Sequence, residues 1–312
     1  MFGVACGRLG AAEATTRDPE PGWEASTGLP EYRRIMTSPL IDAVELDSLL
    51  HGAKPPVVLD VRWKLGGPHG LPAYLAGHIP GAVFVDLDDE LAAHGEPTDG
   101  RHPLPSADAF QASARRWGID DGDVVVVYDD WLGYGAARGW WMLTDAGVDA
   151  RVLDGGLQAW RQSGLALDTD AVVPAAGSVS LDPGRLPQLT IDEAAALARD
   201  GVLLDARAGE RYRGESEPID PRAGHIPGAL SAPTAGNLGP DGRLLDAPLL
   251  RERFAALGVG AATVGVYCGS GVSAAQEILA LRVAGFDAAL YPGSWSQWSN
   301  HADRPMATGA QA

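Results

Sequence analysis

Two stretches of this chain repeat each other, and a chain built from two similar halves must satisfy one fold twice. Val57-Val58-Leu59-Asp60-Val61-Arg62 returns as Val202-Leu203-Leu204-Asp205-Ala206-Arg207. Ala76-Gly77-His78-Ile79-Pro80-Gly81-Ala82 returns as Ala223-Gly224-His225-Ile226-Pro227-Gly228-Ala229. The apolar run Val124 to Tyr128 returns as Val264 to Tyr267, and the block from Ala146 to Trp160 as that from Ala284 to Trp298. Matched blocks in one order mark a tandem duplication. Within each copy, short apolar runs alternate with helical stretches such as 107–117 and 191–199. That alternation implies βαβ units and a parallel sheet covered by helices on both faces. The fold class expected is therefore α/β, with two similar domains over 37–166 and 190–305 and a functional site near their junction. Residues 167–189, rich in Pro, Gly and Asp, read as an extended linker. Residues 1–36 lack periodicity and are expected to be disordered, with the folded part opening near Met36. They also lack the basic segment and apolar core of a secretory signal.

The copies differ most where chemistry would sit. After the second copy's strand comes Cys268-Gly269-Ser270-Gly271-Val272-Ser273, then a good helix over 274–284 with Gly285 as its stop. A strand, a loop of small residues and a helix start aim successive backbone N–H groups, and the positive end of the helix dipole, at the sulfur. Such a cradle suits a sulfur nucleophile and an anion attached to it. Aligning Tyr128 with Tyr267 puts Asp129 where the second copy has Cys268, and the following 130–138 are longer and bulkier. The first copy keeps the scaffold without the thiol. Its expected role is to wall the cleft and to present side chains toward Cys268.

Composition narrows the partners. A formal net charge of −17 argues against nucleic acid or an anionic membrane surface, and no apolar run approaches membrane-spanning length. An anionic substrate would need local cations. Lys54 and Lys64 are the two lysines, so nearly all positive charge is arginine, the side chain suited to gripping a carboxylate with two parallel hydrogen bonds. Two cysteines, Cys6 in the tail and Cys268, are too few for a disulfide framework or a cysteine zinc site. Free thiol chemistry in a reducing, cytoplasmic compartment is expected, with no metal and no cofactor. Neither Gly155-Gly156 nor the Gly269/Gly271 loop fits a nucleotide-binding pattern.

The paired AGHIPGA segments, the LDGG…W and YPGS…W blocks and above all CGSGVSA resemble the two-domain rhodanese-like sulfurtransferases, over about residues 38–305. The resemblance implies that the carboxyl-terminal domain alone carries the nucleophile. Cys268 would take a sulfane sulfur from a small anionic donor, become a persulfide, and pass the sulfur to cyanide, a thiol or thioredoxin. Amides of Gly269, Gly271, Val272 and Ser273 would hold the persulfide and the departing anion. Loops of this Gly-Ser kind resemble 3-mercaptopyruvate enzymes, whereas thiosulfate enzymes carry basic residues there. By the same resemblance Arg211 and Arg222 would clamp the donor's carboxylate and ketone, with Arg213 as a substitute for the second. Ser270 and His78 would handle protons with an acidic partner; Gly66 to Gly77 holds no carboxylate, which leaves an incomplete set, Asp60 or Asp86. The duplicated histidines, His78 and His225, also suggest a scaffold role in at least one copy.

Three other readings are weighed beside this one. Thiosulfate could be the donor, or the protein could be a persulfide relay without a small donor of its own. A cysteine-dependent phosphatase would need an arginine six residues after the cysteine, where this chain has Ala274.

Overall fold

The computed structural model of this protein describes residues 1–3, 38–260 and 263–311; the disorder expected over 1–36, and Cys6 with it, lies outside them apart from the first three residues. The Val-rich runs become the centres of two parallel sheets. In the first copy β1 (Leu40–Ile41), α1 (Ala43–Leu50), β2 (Val57–Asp60), α2 (Leu71–Leu75), β3 (Val83–Phe84), α3 (Leu87–Glu90) and α4 (Ala107–Arg116) precede β4 (Val124–Tyr128). Then come α5 (Tyr134–Asp145), β5 (Asp149–Leu153) and α6 (Gly156–Gln162), and the sheet order is β1-β5-β4-β2-β3. The second copy runs α7 (Ile191–Asp200), β6 (Val202–Asp205), α8 (Gly209–Tyr212), β7 (Leu230–Ser231), α9 (Ala247–Ala256), β8 (Val264–Tyr267), α10 (Ser273–Val283), β9 (Ala289–Leu290) and α11 (Ser294–Asn300), with order β7-β6-β8-β9. Every strand pair is parallel. The expected α/β class, two parallel sheets with helices on their faces, is what the chain adopts.

The repeated sequence blocks build one repeated scaffold. In register, Asp60 lies opposite Tyr128 and Asp205 opposite Tyr267. Each aspartate is gripped by the arginine two residues on, Arg62 at 2.8 Å and Arg207 at 2.6 Å, and each of those guanidinia also donates to a carbonyl of the following Gly-His segment, Gly77 or Gly224, at 2.6 Å. His78 and His225 each stack on a tyrosine, Tyr74 at 3.9 Å and Tyr212 at 3.8 Å, and each places Nδ1 at hydrogen-bond distance from that tyrosine's carbonyl. Buried ion pairs of this kind leave little slack, because each charge that loses its partner is stranded in apolar surroundings.

The copies share one apolar core. Val127, Trp140 and Trp141 belong to the same buried cluster as Val266, Ala274, Ala275 and Ile278. The contact runs along α5 against α10. α5 is buried from Gly135 to Asp145, and its small residues Gly135, Ala136, Ala137 and Gly139 let its neighbours approach closely. The connecting stretch has no helix or regular strand but is not loose. Val179 is buried, Ser178 donates its amide to Asp120, and Asp145 accepts from the amides of Gly184 and Leu186.

Candidate active site

The candidate nucleophile sits where a buried strand ends. Cys268 follows β8 and is 2% exposed. Its backbone is pinned from α11: the Cys268 amide donates to Ser294 Oγ (3.1 Å), and the Trp295 and Ser296 amides donate to the carbonyls of Cys268 and Gly269 (2.9 and 2.8 Å). The loop then turns back so that the Gly271 amide donates to Cys268 Sγ at 3.1 Å. Gly271 has φ +80, and a Cβ there would lie 2.6 Å from the Pro292 carbonyl, so this turn admits only glycine. α10 starts at Ser273, immediately past the loop, and its amino end lies beside the sulfur.

Side chains of the first copy complete the surroundings. The segment around the single-turn helix 97–99 leans on α11, where the Arg101 amide donates to Ser296 Oγ (3.0 Å) and His301 Nε2 lies 3.2 Å from the Thr98 carbonyl. This excursion delivers His102, whose Nδ1 is 2.7 Å from Ser270 Oγ and whose Nε2 is 3.3 Å from Asp88 Oδ1. Asp88 also accepts from the Trp63 indole (2.9 Å), and that indole meets the imidazole edge-on. Burial, with Arg101 and Arg138 nearby, pushes His102 down to about 3, so its ring is neutral at ordinary pH. A neutral ring facing a carboxylate at Nε2 carries its hydrogen there, and Nδ1 accepts from the serine hydroxyl.

From α5, fully buried Arg138 donates to the carbonyls of His102 and Leu91 (both 3.1 Å) and reaches that of Gly271 at 3.4 Å. Among the described residues it has no carboxylate partner; burial lowers it to about 10, and the charge of Cys268 opposes that shift. A cation held in this way draws negative charge to the loop.

Arg211, on α8, stands at the loop's mouth. It pairs with Glu217 (2.7 Å) and Asp220 (3.1 Å), and the other oxygen of Asp220 accepts from Arg101 at 2.7 Å. A Cβ on Gly269 would lie 3.3 Å from Arg211 Nη1 and 3.2 Å from Arg101 Nη2. Two guanidinia, one from each copy, thus close over the second loop residue.

Several expectations are corrected. The structure does not pair His78 with Ser270. His78 is enclosed between Tyr74 and the Asp168 backbone, as its twin His225 is between Tyr212 and Ala307, and both belong to the scaffold. Asp60 is bound by Arg62 and Tyr128, and Asp86 caps α3 and meets His69, so neither faces Ser270; the carboxylate near the serine–histidine pair is Asp88. Arg222 is not at the loop. Its guanidinium donates to the carbonyls of Trp298, Ser299, His301 and Arg304 and so caps the end of α11. Arg213 is engaged with Glu215 on the surface. The helix start leaves the Ser273 hydroxyl without a capping role, and Ser270 spends its hydroxyl on His102.

His102 and Arg101 escaped the sequence reading, although a signal for them exists. Asp99-Gly100-Arg101-His102 parallels Asp241-Gly242-Arg243-Leu244 in the second copy, where leucine replaces the histidine. The second segment reaches back across the junction: the Leu244 amide donates to Asp154 (2.9 Å), and Arg243 packs against Gly155. At that disarmed site Asp129 occupies the cysteine's place. Its carboxylate accepts from the amides of Trp131, Gly133 and Ala136, so the cradle survives with its own side chain filling it.

Comparison with known proteins agrees with this geometry. The rhodanese-like domain family matches twice, over residues 42–163 and 190–301. A Mycobacterium tuberculosis relative bearing the name of a thiosulfate sulfurtransferase, SseB, is 49% identical over 275 residues, covering 86% of this chain and 97% of the relative. A Pseudomonas aeruginosa relative bearing the name of a 3-mercaptopyruvate sulfurtransferase is 45% identical over 269 residues, covering 81% and 92%. The crystal structure of Escherichia coli SseA, described with the mechanism of 3-mercaptopyruvate sulfotransferases, matches with a TM-score of 0.74 at 31% identity, over 83% of this chain and 99% of that one. On a doubled rhodanese domain, extensive identity to named sulfurtransferases and a cysteine in an amide-lined loop, this chain belongs to the two-domain rhodanese-like sulfurtransferases.

Proposed function

We propose that the protein moves sulfur from 3-mercaptopyruvate, through a persulfide on Cys268, to a thiol acceptor. The observation that carries the donor is the Ser270–His102 pair, 2.7 Å apart and backed by Asp88. In this reaction the Cys268 thiolate forms an S–S bond to the donor's thiol sulfur. The C–S bond breaks, and its electron pair leaves on the enolate of pyruvate. The donor's S–H proton must then reach the enolate carbon, giving a persulfide anion and pyruvate. Thiosulfate delivers the same sulfur with sulfite as leaving group and has no proton to move. A hydroxyl joined to a buried imidazole is useful only for the first donor. Ser270 accepts the proton while passing its own to His102 Nδ1. Burial, with Arg101 and Arg138 nearby, makes the resulting imidazolium a strong acid, which drives the proton on to carbon.

Charge at the mouth favours the same donor. Arg101, Arg207 and Arg211 are matched there by Asp205, Glu217 and Asp220, so a monoanion is better suited than a dianion. Arg211 is positioned to hold the carboxylate, and the amide of Gly271 to hold the persulfide. In the second half-reaction an acceptor thiolate attacks the outer sulfur and Cys268 leaves as thiolate. A small thiol, thioredoxin or cyanide could serve, in a reducing, cytoplasmic setting. The described residues include no helix long and apolar enough to cross a membrane.

The relative named for thiosulfate, at 49% identity, favours the alternative donor. The deciding experiment is kcat/KM for sulfur transfer to cyanide from each donor, side by side on one preparation. A preference for mercaptopyruvate of tenfold or more, about 1.4 kcal/mol of transition-state discrimination, is expected. A preference for thiosulfate overturns the reading.

A further inference from the structure

The first copy's loop is a charge-inverted twin of the second's. Asp129 stands where the second copy has Cys268, and Leu244 stands where the first has His102. Arg138 and Gln276 are twins as well, each eight residues before the paired Ala146 and Ala284. Where the Cys268 loop gathers a sulfur, an imidazole and a guanidinium, the Asp129 loop therefore gathers a carboxylate, an aliphatic side chain and a carboxamide. Asp129, Leu244 and Gln276 line one cavity of about 110 Å³ together with Asp130, Asp154 and Leu279. Cavities of roughly 150 Å³ admit a benzene-sized guest, so this one suits a body of a few heavy atoms.

The polar groups on its walls are incompletely matched. Asp129 is buried, and among the described residues no cation pairs with it; burial pushes it up to about 7 against the pull of the three amides that it accepts. Its Oδ2 takes one of those amides, Ala136 at 3.2 Å, and keeps a lone pair. Asp154 is raised by burial too, and Arg243, which opposes that shift, is shared with Asp241 at 3.7 Å. Asp130 has Lys64 at 3.8 Å. Gln276 is 1% exposed; its Oε1 accepts from Asn237 at 3.3 Å, and its Nε2 is buried without a partner among the described residues. Carboxylates short of a cation and an amide short of an acceptor, around one cavity, call for a guest that supplies both. We propose that this cavity binds a small ammonium ion carrying an oxygen acceptor, the chemistry of an amino alcohol, with Asp129 and Asp154 taking the ammonium group and Gln276 donating to the oxygen. The site is independent of the sulfur donor, so its failure leaves the proposed function standing.

The test titrates the isotope-labelled full chain with 2-aminoethanol, propylamine and 1-propanol. The three share one size; propylamine lacks the oxygen acceptor and propanol lacks the charge. Binding is read by NMR at the indole N–H of Trp131, which also lines the cavity and is partly exposed. Aminoethanol should give saturable shifts in the millimolar range, the scale open to a ligand this small. Propylamine should bind about fivefold weaker and propanol roughly tenfold weaker or more. Aminoethanol affinity should fall about tenfold from pH 8 to pH 6, as the ionised share of Asp129 drops. Asp154→Asn keeps an acceptor for the Leu244 amide and should weaken aminoethanol about tenfold while leaving propanol unchanged. Gln276→Leu should erase the preference for aminoethanol over propylamine. Asp129→Asn should act as Asp154→Asn does, and its Tm shows whether the loop still folds; if it does not, the Asp154 variant and the pH series decide. Equal affinity for propanol, no saturable shift up to about 0.1 M, or an Asp154→Asn protein that binds aminoethanol as wild type does overturns the site.

Discussion

Removing the Ser270–His102 relay should separate the two donors. The pair is a single hydrogen bond of 2.7 Å, with Asp88 3.3 Å beyond the ring. Ser270→Ala or His102→Ala deletes the path by which the mercaptopyruvate S–H proton reaches the enolate carbon. Positioned acid–base groups contribute about 10²–10⁴ in rate, so kcat with mercaptopyruvate should fall by that factor, about 3–5 kcal/mol of barrier. Thiosulfate needs no proton, and its kcat/KM should move by less than about threefold. Groups that act as a unit do not add, so the double variant should be no slower than the worse single one. The assay is single-turnover pyruvate release and persulfide formation with each donor, alongside Tm for each variant, because His102→Ala also removes the edge-on contact with Trp63. Equal losses with both donors, or multiplying losses in the double variant, would refute the relay. The pH profile is a second check. With His102 held down to about 3, no ionisation near 6.5 should belong to it; a limb there that His102→Ala abolishes would falsify the neutral-ring assignment.

Three further outcomes are expected. Cys268→Ser should abolish persulfide formation, read by mass spectrometry, while circular dichroism stays native; residual turnover above background would remove Cys268 as nucleophile. Arg222→Met should lower Tm by several degrees, since four carbonyls at the end of α11 lose charge-assisted donors worth roughly 1.5–3 kcal/mol each at most. Its donor KM values should not change, and a KM defect with normal Tm would return Arg222 to the clamp. Glu277, buried on α10 with Asn237 as donor at 2.7 Å, is pushed up to about 8 by burial. A carboxyl raised above its unfolded value stabilises the fold at acid pH and loses that contribution as pH rises from about 4.5 to about 8. Glu277→Gln should flatten this decline in urea-melt stability; an unchanged slope would show that Glu277 is already ionised when folded.

The strand, cysteine loop and helix around Cys268 were legible because they are local. Valine-rich runs, a bend that needs glycine at 271 and a helix-forming stretch each act within a few residues. The α/β class followed from the same local alternation, and the scaffold from the repeat itself. His78 shows where that logic fails. It lies in a block repeated in both copies, and repetition signals shared folding, here a ring packed on a tyrosine beneath an aspartate–arginine fork. The residue that meets Ser270 had to be sought where the copies differ, at His102 against Leu244. Arg222 failed for a related reason: its segment resembles a binding segment, but the free carbonyls at the end of α11 were nearer claimants for its donors.

The sequence by itself determined a duplicated α/β chain, one copy with a loop cysteine and one without, and the place of that cysteine at a helix start. Only the tertiary structure decided which residues stand around that sulfur. Ser270 and His102 stand 168 positions apart, and Arg101 and Asp220 stand 119 apart. Their contacts exist because α5 packs on α10 and the 97–103 segment rests on α11. No local propensity encodes that juxtaposition, since burial of the shared apolar core between the copies holds it in place and the polar groups at the rim take whatever partners the docking brings within reach.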